Sequence, residues 1–498
     1  MNERSELTLE IIQQKYLPYR AGEMQAMIRV TAAVAGDEPA GPPSASGAEV
    51  IIVDCSGSMA HPRPKLLAAR RAACAALDAM RDGTEFAVLS GRLEATMVYP
   101  HRLGLVTATE ETRAAAKQAV NRLEADGLTR MSSWLALSAR LLRPLAGRIR
   151  HAMLFTDGHN WHESEDGSFD RVLAACTGMF TCDARGIGDD WDPSDLRKIA
   201  AALHGTADGL ADVADLEDEF RSVMLKAMRM VVPDVTLRLR VAQGVAIREF
   251  RQLHPADADL TKQGETVAGA ATQYWIGSWS GETRDYLVTL SADASRFRQN
   301  TDERLARVEV AVRGADGDLA VAGDPEFVLA RWTFDPPEPT WLPTDSYTGQ
   351  RETGRAIVEG CVAWLAAKYE KATEAWAEAV KLAIAAGDDE RLSLLATLVE
   401  VTNPVTGEVR LHDELTKPVV LQAQVRAEHT SFVSTRGTQQ RTDRQLRKPP
   451  AWTPKENAAR VCPRPGCGRL SPADARSCEK CGQPFGLADS GSTVEAGQ

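Results

Sequence analysis

Asp54, Ser56 and Ser58 stand at alternate positions in Asp54-Cys55-Ser56-Gly57-Ser58-Met59, directly after the apolar run Val50-Ile51-Ile52-Val53. An Asp and two alternate hydroxyls at the end of a buried strand can offer three oxygens to one hard cation. Two later segments add to the set: Thr129 in Asp126-Gly127-Leu128-Thr129, and Asp157 after the apolar Met153-Leu154-Phe155-Thr156. Two carboxylates and three hydroxyls suit Mg²⁺, with Mn²⁺ or Ca²⁺ as alternatives, because such ions take oxygen donors and keep some water. So few protein charges leave the ion partly unneutralised, with room for a carboxylate from outside. Ser and Asp also cap helices. The convergence of three separate segments, rather than any one of them, points to a metal.

A second constellation lies near the end of the chain. Cys462, Cys467, Cys478 and Cys481 form C-x₄-C-x₁₀-C-x₂-C. Four soft thiolates close a tetrahedral Zn²⁺ site with no open position, which makes the metal structural rather than catalytic. A module this short buries little core, so the metal would supply its folding energy. The stretch resembles a zinc ribbon, although its first knuckle is longer than the usual two intervening residues. The other cysteines, Cys55, Cys74, Cys176, Cys182 and Cys361, are scattered and odd in number. That pattern fits reduced thiols in a cytosol, and hence a cytoplasmic protein.

The elements that must position the first site alternate. Strand patterns at Val50–Val53, Glu85–Leu89, Ala95–Tyr99, Ala152–Thr156 and Thr181–Ile187 are separated by amphipathic stretches at 65–80, 109–124, 133–142 and 195–203, and 216–230 closes the unit. Such alternation predicts a mostly parallel sheet covered by helices on both faces. Ligands then bind beyond the carboxyl ends of the strands, where the strand order reverses. The D-x-S-x-S, the loop Thr and the T-D-G, in that order over this unit, resemble the metal-ion-dependent adhesion site of von Willebrand factor A (VWA) domains. The resemblance implies a Rossmann-like α/β fold. Ser56, Ser58 and Thr129 would touch the metal, while Asp54 and Asp157 would act mostly through water and hydrogen bonds. Leu128 occupies a position that is often Gly in the family.

Beyond this unit, Val235-Thr236-Leu237-Arg238-Leu239-Arg240-Val241 and Val308-Glu309-Val310-Ala311-Val312-Arg313 alternate with period two, as in an antiparallel sandwich. Leu7–Ile11 and Gln25–Val30 read the same way. The multidomain arrangement expected is therefore as follows. Residues 1–45 are N-terminal strands joining a β-sandwich, 46–231 the VWA domain inserted in or followed by that sandwich, and 232–345 the β-sandwich itself. Residues 346–435 form a small helical bundle and closing segment, with the helices packed against the sandwich. Residues 436–460 are a basic linker, 461–486 the zinc ribbon and 487–498 a disordered tail. An N-terminal arm packed on the VWA domain is the alternative for 1–45.

Composition narrows the function classes. The 498 residues carry a net charge of −11, which argues against nonspecific nucleic-acid binding by the whole chain. No apolar run approaches the roughly 20 residues of a membrane-spanning helix, and the N-terminus shows no signal-peptide pattern. There is no G-x-x-x-x-G-K-[ST], no G-x-S-x-G around Ser56, and Gly186-Ile187-Gly188 lacks a third Gly. His159, His162, Glu163, Glu165 and Asp166 follow Asp157 and read as rim residues that tune partner choice. The expectation is a non-enzymatic scaffold that captures an acidic residue of a protein partner. The architecture resembles bacterial tellurite-resistance-type VWA proteins, which implies a signalling or stress setting beside a Ser/Thr kinase or PP2C-type phosphatase. A metal-dependent hydrolase or phosphatase using Asp54, Asp157 and His159, or a nucleic-acid accessory using the Arg-rich linker, are the alternatives.

Overall fold

Val50, Ile51, Ile52 and Val53 have no exposed surface, because the strand they belong to is paired on both edges and covered on both faces. This strand, Ala48–Asp54, runs parallel to Glu85–Gly91 on one side and Arg150–Thr156 on the other. The computed structural model describes residues 5–34, 47–60, 64–160, 163, 167–267, 271–314, 317–338, 340–404, 406–434, 460–461 and 470–471. The sheet continues outward through Thr181–Ile187 to His204–Leu210. On the other side Glu85–Gly91 is flanked by the short antiparallel Thr96–Tyr99 and Val106–Thr107.

Period-two burial sends Ile51 and Val53 to one face and Val50 and Ile52 to the other. The first face packs against Pro64–Ala79, Glu110–Val120 and Leu216–Ala227. Ala68, Ala69, Ala72, Ala73 and Ala76 line the first of these helices and let it approach the sheet closely. The second face packs against Met131–Leu142, Ser168–Cys176 and Pro193–Leu203. The chain adds strands first on one side of Ala48–Asp54 and later on the other. The order therefore reverses between Ala48–Asp54 and Arg150–Thr156, and the carboxyl ends of those two strands carry Asp54 and Asp157.

Two antiparallel sheets account for the period-two segments. One runs Ser5–Gln13, Glu23–Val34, Glu282–Ala292, Val245–His254, Ala258–Asp259. The other runs Glu265–Val267, Ala271–Trp275, Val235–Val241, Glu303–Arg313, Leu319–Thr333, and ends on Tyr16–Pro18, its one parallel pairing among the described strands. Ile28, Val30, Tyr286 and Val288 of the first sheet share one apolar core with Leu237, Val308, Val310 and Trp332 of the second. Asp234, buried, joins this part to the parallel sheet. Its carboxylate accepts from Arg150 Nη2 at 2.6 Å, Gly147 N at 3.1 Å and Trp275 Nε1 at 3.3 Å.

The helices Pro343–Leu365, Tyr369–Ala386 and Asp389–Leu395 pack on one another around Trp376 and Ile357. Gly387 ends the second at φ 64°, and Asp388 caps the third through Arg391 N. Tyr347 reaches the antiparallel sheets, donating its hydroxyl to Asp285 at 2.7 Å. Sequence reasoning expects the helical region to lie against those sheets, but its last helix, Lys417–Arg426, goes elsewhere. Leu421 and Val425 join the core of the parallel-sheet unit. Gln422 Nε2 donates to Gly209 O at 2.5 Å, and Arg426 forks onto Asp208 at 2.9 and 3.0 Å. The helix thereby covers the outer edge strand, which would otherwise offer unpaired backbone groups.

Residues 435–498 form a separate unit, in which Arg460–Val461 pairs with Leu470–Ser471. Cys462, Cys467, Cys478 and Cys481, the linker up to residue 459 and the tail lie outside the described residues. Among the described residues no helix is long and apolar enough to cross a membrane.

Candidate functional site

Asp54 ends its strand with no exposed surface, and both of its carboxylate oxygens are held. Oδ1 accepts the backbone N–H of Ser56 at 2.8 Å, and Oδ2 accepts the Thr156 hydroxyl at 2.5 Å. Burial pushes its carboxyl up to about 6, against the pull of these hydrogen bonds. The turn that follows brings Ser56 Oγ to 3.0 Å from Ser58 Oγ. Ser58 Oγ donates to Asp157 Oδ1 at 2.6 Å. With its proton committed there, Ser58 Oγ is the acceptor in its contact with Ser56 Oγ and keeps a further lone pair to face elsewhere.

Gly158 shows where the third hydroxyl lies. A Cβ built on Gly158 would stand 2.8 Å from Thr129 Oγ1, 3.3 Å from Ser58 Oγ and 3.7 Å from Ser56 Oγ. Three hydroxyls from two loops thus converge on a cradle that a methyl group would fill. Backbone bonds fix the two loops to each other: Gly57 N donates to Gly127 O at 2.9 Å and Asp126 N to Cys55 O at 2.8 Å. Leu128 is 53% exposed, so the side chain beside Thr129 projects outward and leaves the hydroxyl in place. The structure brings together Ser56, Ser58, Thr129 and Asp157, with Asp54 behind the serines.

Several residues at the site were not singled out by their sequence pattern. Thr156, next to Asp157, donates to Asp54, and Gly158 N donates to the same Thr156 hydroxyl at 3.1 Å. Lys65 Nζ donates to Asp157 Oδ2 at 3.0 Å. Glu163, expected at the rim, is buried instead. Its carboxylate accepts from Ser132 N at 3.0 Å and from the Ser132 hydroxyl, while Asn160 Oδ1 accepts from Met131 N at 3.2 Å. Together they satisfy the first N–H groups of the helix Met131–Leu142, directly after Thr129. Their role is to position the Thr129 loop. The side-chain carbonyl of Asn160 and the carboxylate of Glu163 act as caps supplied from outside the helix, a signal that sequence spacing does not carry. His159 stands at the rim, 3.6 Å from Asp190, and His162, Glu165 and Asp166 lie outside the described residues.

The chemistry open to this arrangement is narrow. Cys55 is fully buried, and burial pushes its thiol up to about 11, so it is no thiolate nucleophile. Among the described residues no group of three or more His, Cys, Asp or Glu is placed to hold a metal. The donors of this site are instead chiefly hydroxyls. That set fits a hard, oxygen-seeking divalent ion and not a thiophilic one.

Comparison with known proteins agrees with this geometry. Residues 48–208 match the family model described as von Willebrand factor type A domain. The structure of von Willebrand factor type A from Catenulispora acidiphila is 34% identical, with a TM-score of 0.77, and the match covers 87% of this chain and 99% of that one. The ArnB paralog VWA2 from Sulfolobus acidocaldarius shares the fold at 13% identity and a TM-score of 0.50, over 85% of this chain and 98% of its own. An uncharacterized protein of Synechocystis, sll0103, is 25% identical over 250 residues, which are 49% of this chain and 56% of that protein. The chain thus spans little more than half the length of this curated relative. With two thirds and more of the first solved relative matched above 30% identity, the chain belongs to the von Willebrand factor type A domain family.

Proposed function

We propose that this protein is a non-enzymatic binding scaffold that captures an acidic side chain of a partner protein at a divalent metal ion, Mg²⁺ or one of the similar ions Mn²⁺ and Ca²⁺. The observation that carries this reading is the convergence of Ser56, Ser58 and Thr129 around Gly158, with Asp54 and Asp157 hydrogen-bonded behind them. The three hydroxyls would hold the ion, and the carboxylates would orient the hydroxyls and balance part of its charge. When bound, the ion supplies a positive charge on which an Asp or Glu from outside can form a short, directional contact. Asp54 and Asp157 bring two negative charges and Lys65 returns one positive, so the loaded site favours an anionic visitor.

The four C-terminal cysteines would hold a structural Zn²⁺ in a ribbon that docks rather than reacts. Cys55, Cys74, Cys176, Cys182 and Cys361 are all unpaired, which supports a reducing, cytoplasmic setting. The resemblance to tellurite-resistance-type proteins suggests a partner in a bacterial signalling or stress system, such as a Ser/Thr kinase or PP2C-type phosphatase. The test is co-purification from the native host in Mg²⁺ and in EDTA. Partners retained in Mg²⁺, released by EDTA and absent with Ser56→Ala support the reading. The same partners retained in EDTA contradict it.

A further inference from the structure

Lys65 is out of place for an ordinary surface lysine. It is the second residue of the helix Pro64–Ala79 and only 7% exposed. A cation in the first turn faces the positive end of the helix dipole, so this position costs energy unless an anion is at hand. Asp157 is that anion, its Oδ2 accepting from Nζ at 3.0 Å. A second acceptor waits beside it: Asp189 Oδ1 stands 3.9 Å from the same Nζ, on a side chain that is 59% exposed. Gly188 closes over the lysine stem, where a Cβ would lie 3.2 Å from Lys65 Cε. The ammonium thus sits between a buried carboxylate of the site and an exposed one at its rim.

We infer that Lys65 is a built-in monovalent competitor for the divalent ion, which occupies Asp157 in the unloaded site and is handed toward Asp189 when the ion enters. This inference rests on reading the hydroxyl cluster as a metal site. The physical reason is charge. An ammonium bonded to the same carboxylate that receives the Ser58 hydroxyl would repel a cation entering among the hydroxyls, and in a partly desolvated pocket that repulsion is poorly screened. It also neutralises one of the two carboxylates that would attract the ion. Metal binding is weakened and made conditional, while the loaded site, carrying surplus positive charge, holds an incoming carboxylate more firmly. Metal and acidic partner would then bind with positive coupling.

The experiment is calorimetric titration of the intact protein with Mg²⁺ alone, a probe that the C-terminal thiolates do not take. Ser56→Ala marks the heat that belongs to this site. Lys65→Met is expected to bind Mg²⁺ at least ten-fold tighter than the natural protein and to show a larger Mg²⁺-induced rise in Tm. Asp189→Asn, which removes the second acceptor at the exposed rim, is expected to bind about three-fold more weakly. If the natural protein binds Mg²⁺ and Lys65→Met binds it equally or less well, the competitor role is overturned and the metal site stands. If Lys65→Met fails to fold, unchanged affinity in Asp189→Asn overturns the handover. If neither the natural protein nor Lys65→Met binds Mg²⁺, the metal site falls and the inference with it.

Discussion

The two ends of the parallel sheet use the same residue types to opposite effect. Near the amino ends, Glu49, His151 and Asp183 lie on three neighbouring strands and close upon each other. His151 Nδ1 meets both oxygens of Glu49 at 2.9 Å, and Nε2 meets Asp183 Oδ2 at 3.1 Å. Asp183 Oδ1 is in turn filled by the backbone N–H and hydroxyl of Thr206, each at 2.6 Å. At the carboxyl ends, Asp54 and Asp157 are also buried and hydrogen-bonded, Asp54 to Ser56 N and the Thr156 hydroxyl and Asp157 to the Ser58 hydroxyl and Lys65. Beside them, however, the hydroxyls of Ser56, Ser58 and Thr129 converge on a cradle that no side chain among the described residues fills. A closed set of charges holds strands together. A set with one place left open can bind. The lesson is that burial of acids alone does not mark a site, and the identity of their partners does.

The largest test of this contrast removes the closing partner. His151→Ala leaves Glu49 without its cation and Asp183 with Arg185 alone, which is expected to cost about 3–5 kcal/mol, read as a shift in the urea midpoint. A loss under about 1 kcal/mol would mean that the amino-end cluster is not closed as described. The same cluster sets a pH dependence. Burial works against a charge on His151, but Glu49 and Asp183 together outweigh it and push it up to about 10. The folded value lies above the unfolded one, roughly 6.5. The stabilisation is therefore complete below about pH 6.5 and is lost as pH rises through about 10. Thermal melts between pH 6 and 10 should show a falling Tm that is flatter in His151→Ala. An equal slope in both proteins would assign the loss to other groups.

Smaller effects sharpen the other end. Glu163→Ala takes the cap from Met131–Leu142 and is expected to cost about 1–2 kcal/mol. It should also weaken Mg²⁺ binding by loosening the Thr129 loop, both measurable on one preparation. Gly158→Ala puts a methyl group into the hydroxyl cradle. Mg²⁺ affinity is expected to fall at least ten-fold with a stability loss of about 1 kcal/mol, so binding and folding should separate. Arg426→Ala breaks only a partly exposed ion pair at the sheet edge. Screening by solvent holds its cost below about 1 kcal/mol, and Mg²⁺ binding should not change.

What could be read from the sequence follows from which physical signals are local. Ala48–Asp54 and Arg150–Thr156 carry the apolar runs Val50–Val53 and Met153-Leu154-Phe155, and the oxygen donors that follow those runs mark strand ends. Amphipathic patterning, likewise local, places Pro64–Ala79 and Met131–Leu142 to within two residues. The strand His204–Leu210 has no such pattern, since His-Gly-Thr-Ala-Asp-Gly-Leu is polar and glycine-rich. It forms by pairing in parallel with Thr181–Ile187, and its Gly209 reflects a backbone that passes close to a ring. A Cβ on Gly209 would lie 2.5 Å from Trp191, and one on Gly186 in the neighbouring strand would overlap the same side chain. The capping of one helix by Glu163, and the seating of Lys417–Arg426 on the parallel sheet, depend on segments far apart in the chain. Lys65 was invisible for a different reason: a lysine in a helix's first turn ordinarily reads as solvated, and only the fold shows it facing Asp157.

The most direct measurement of the central claim is a crystal of the intact protein soaked in Mn²⁺, with the ion located by its anomalous scattering. A peak among Ser56 Oγ, Ser58 Oγ and Thr129 Oγ1, with one position left to water or an added carboxylate, is the result predicted. No peak there at saturating Mn²⁺, or an ion fully enclosed by the chain's own side chains, would contradict it.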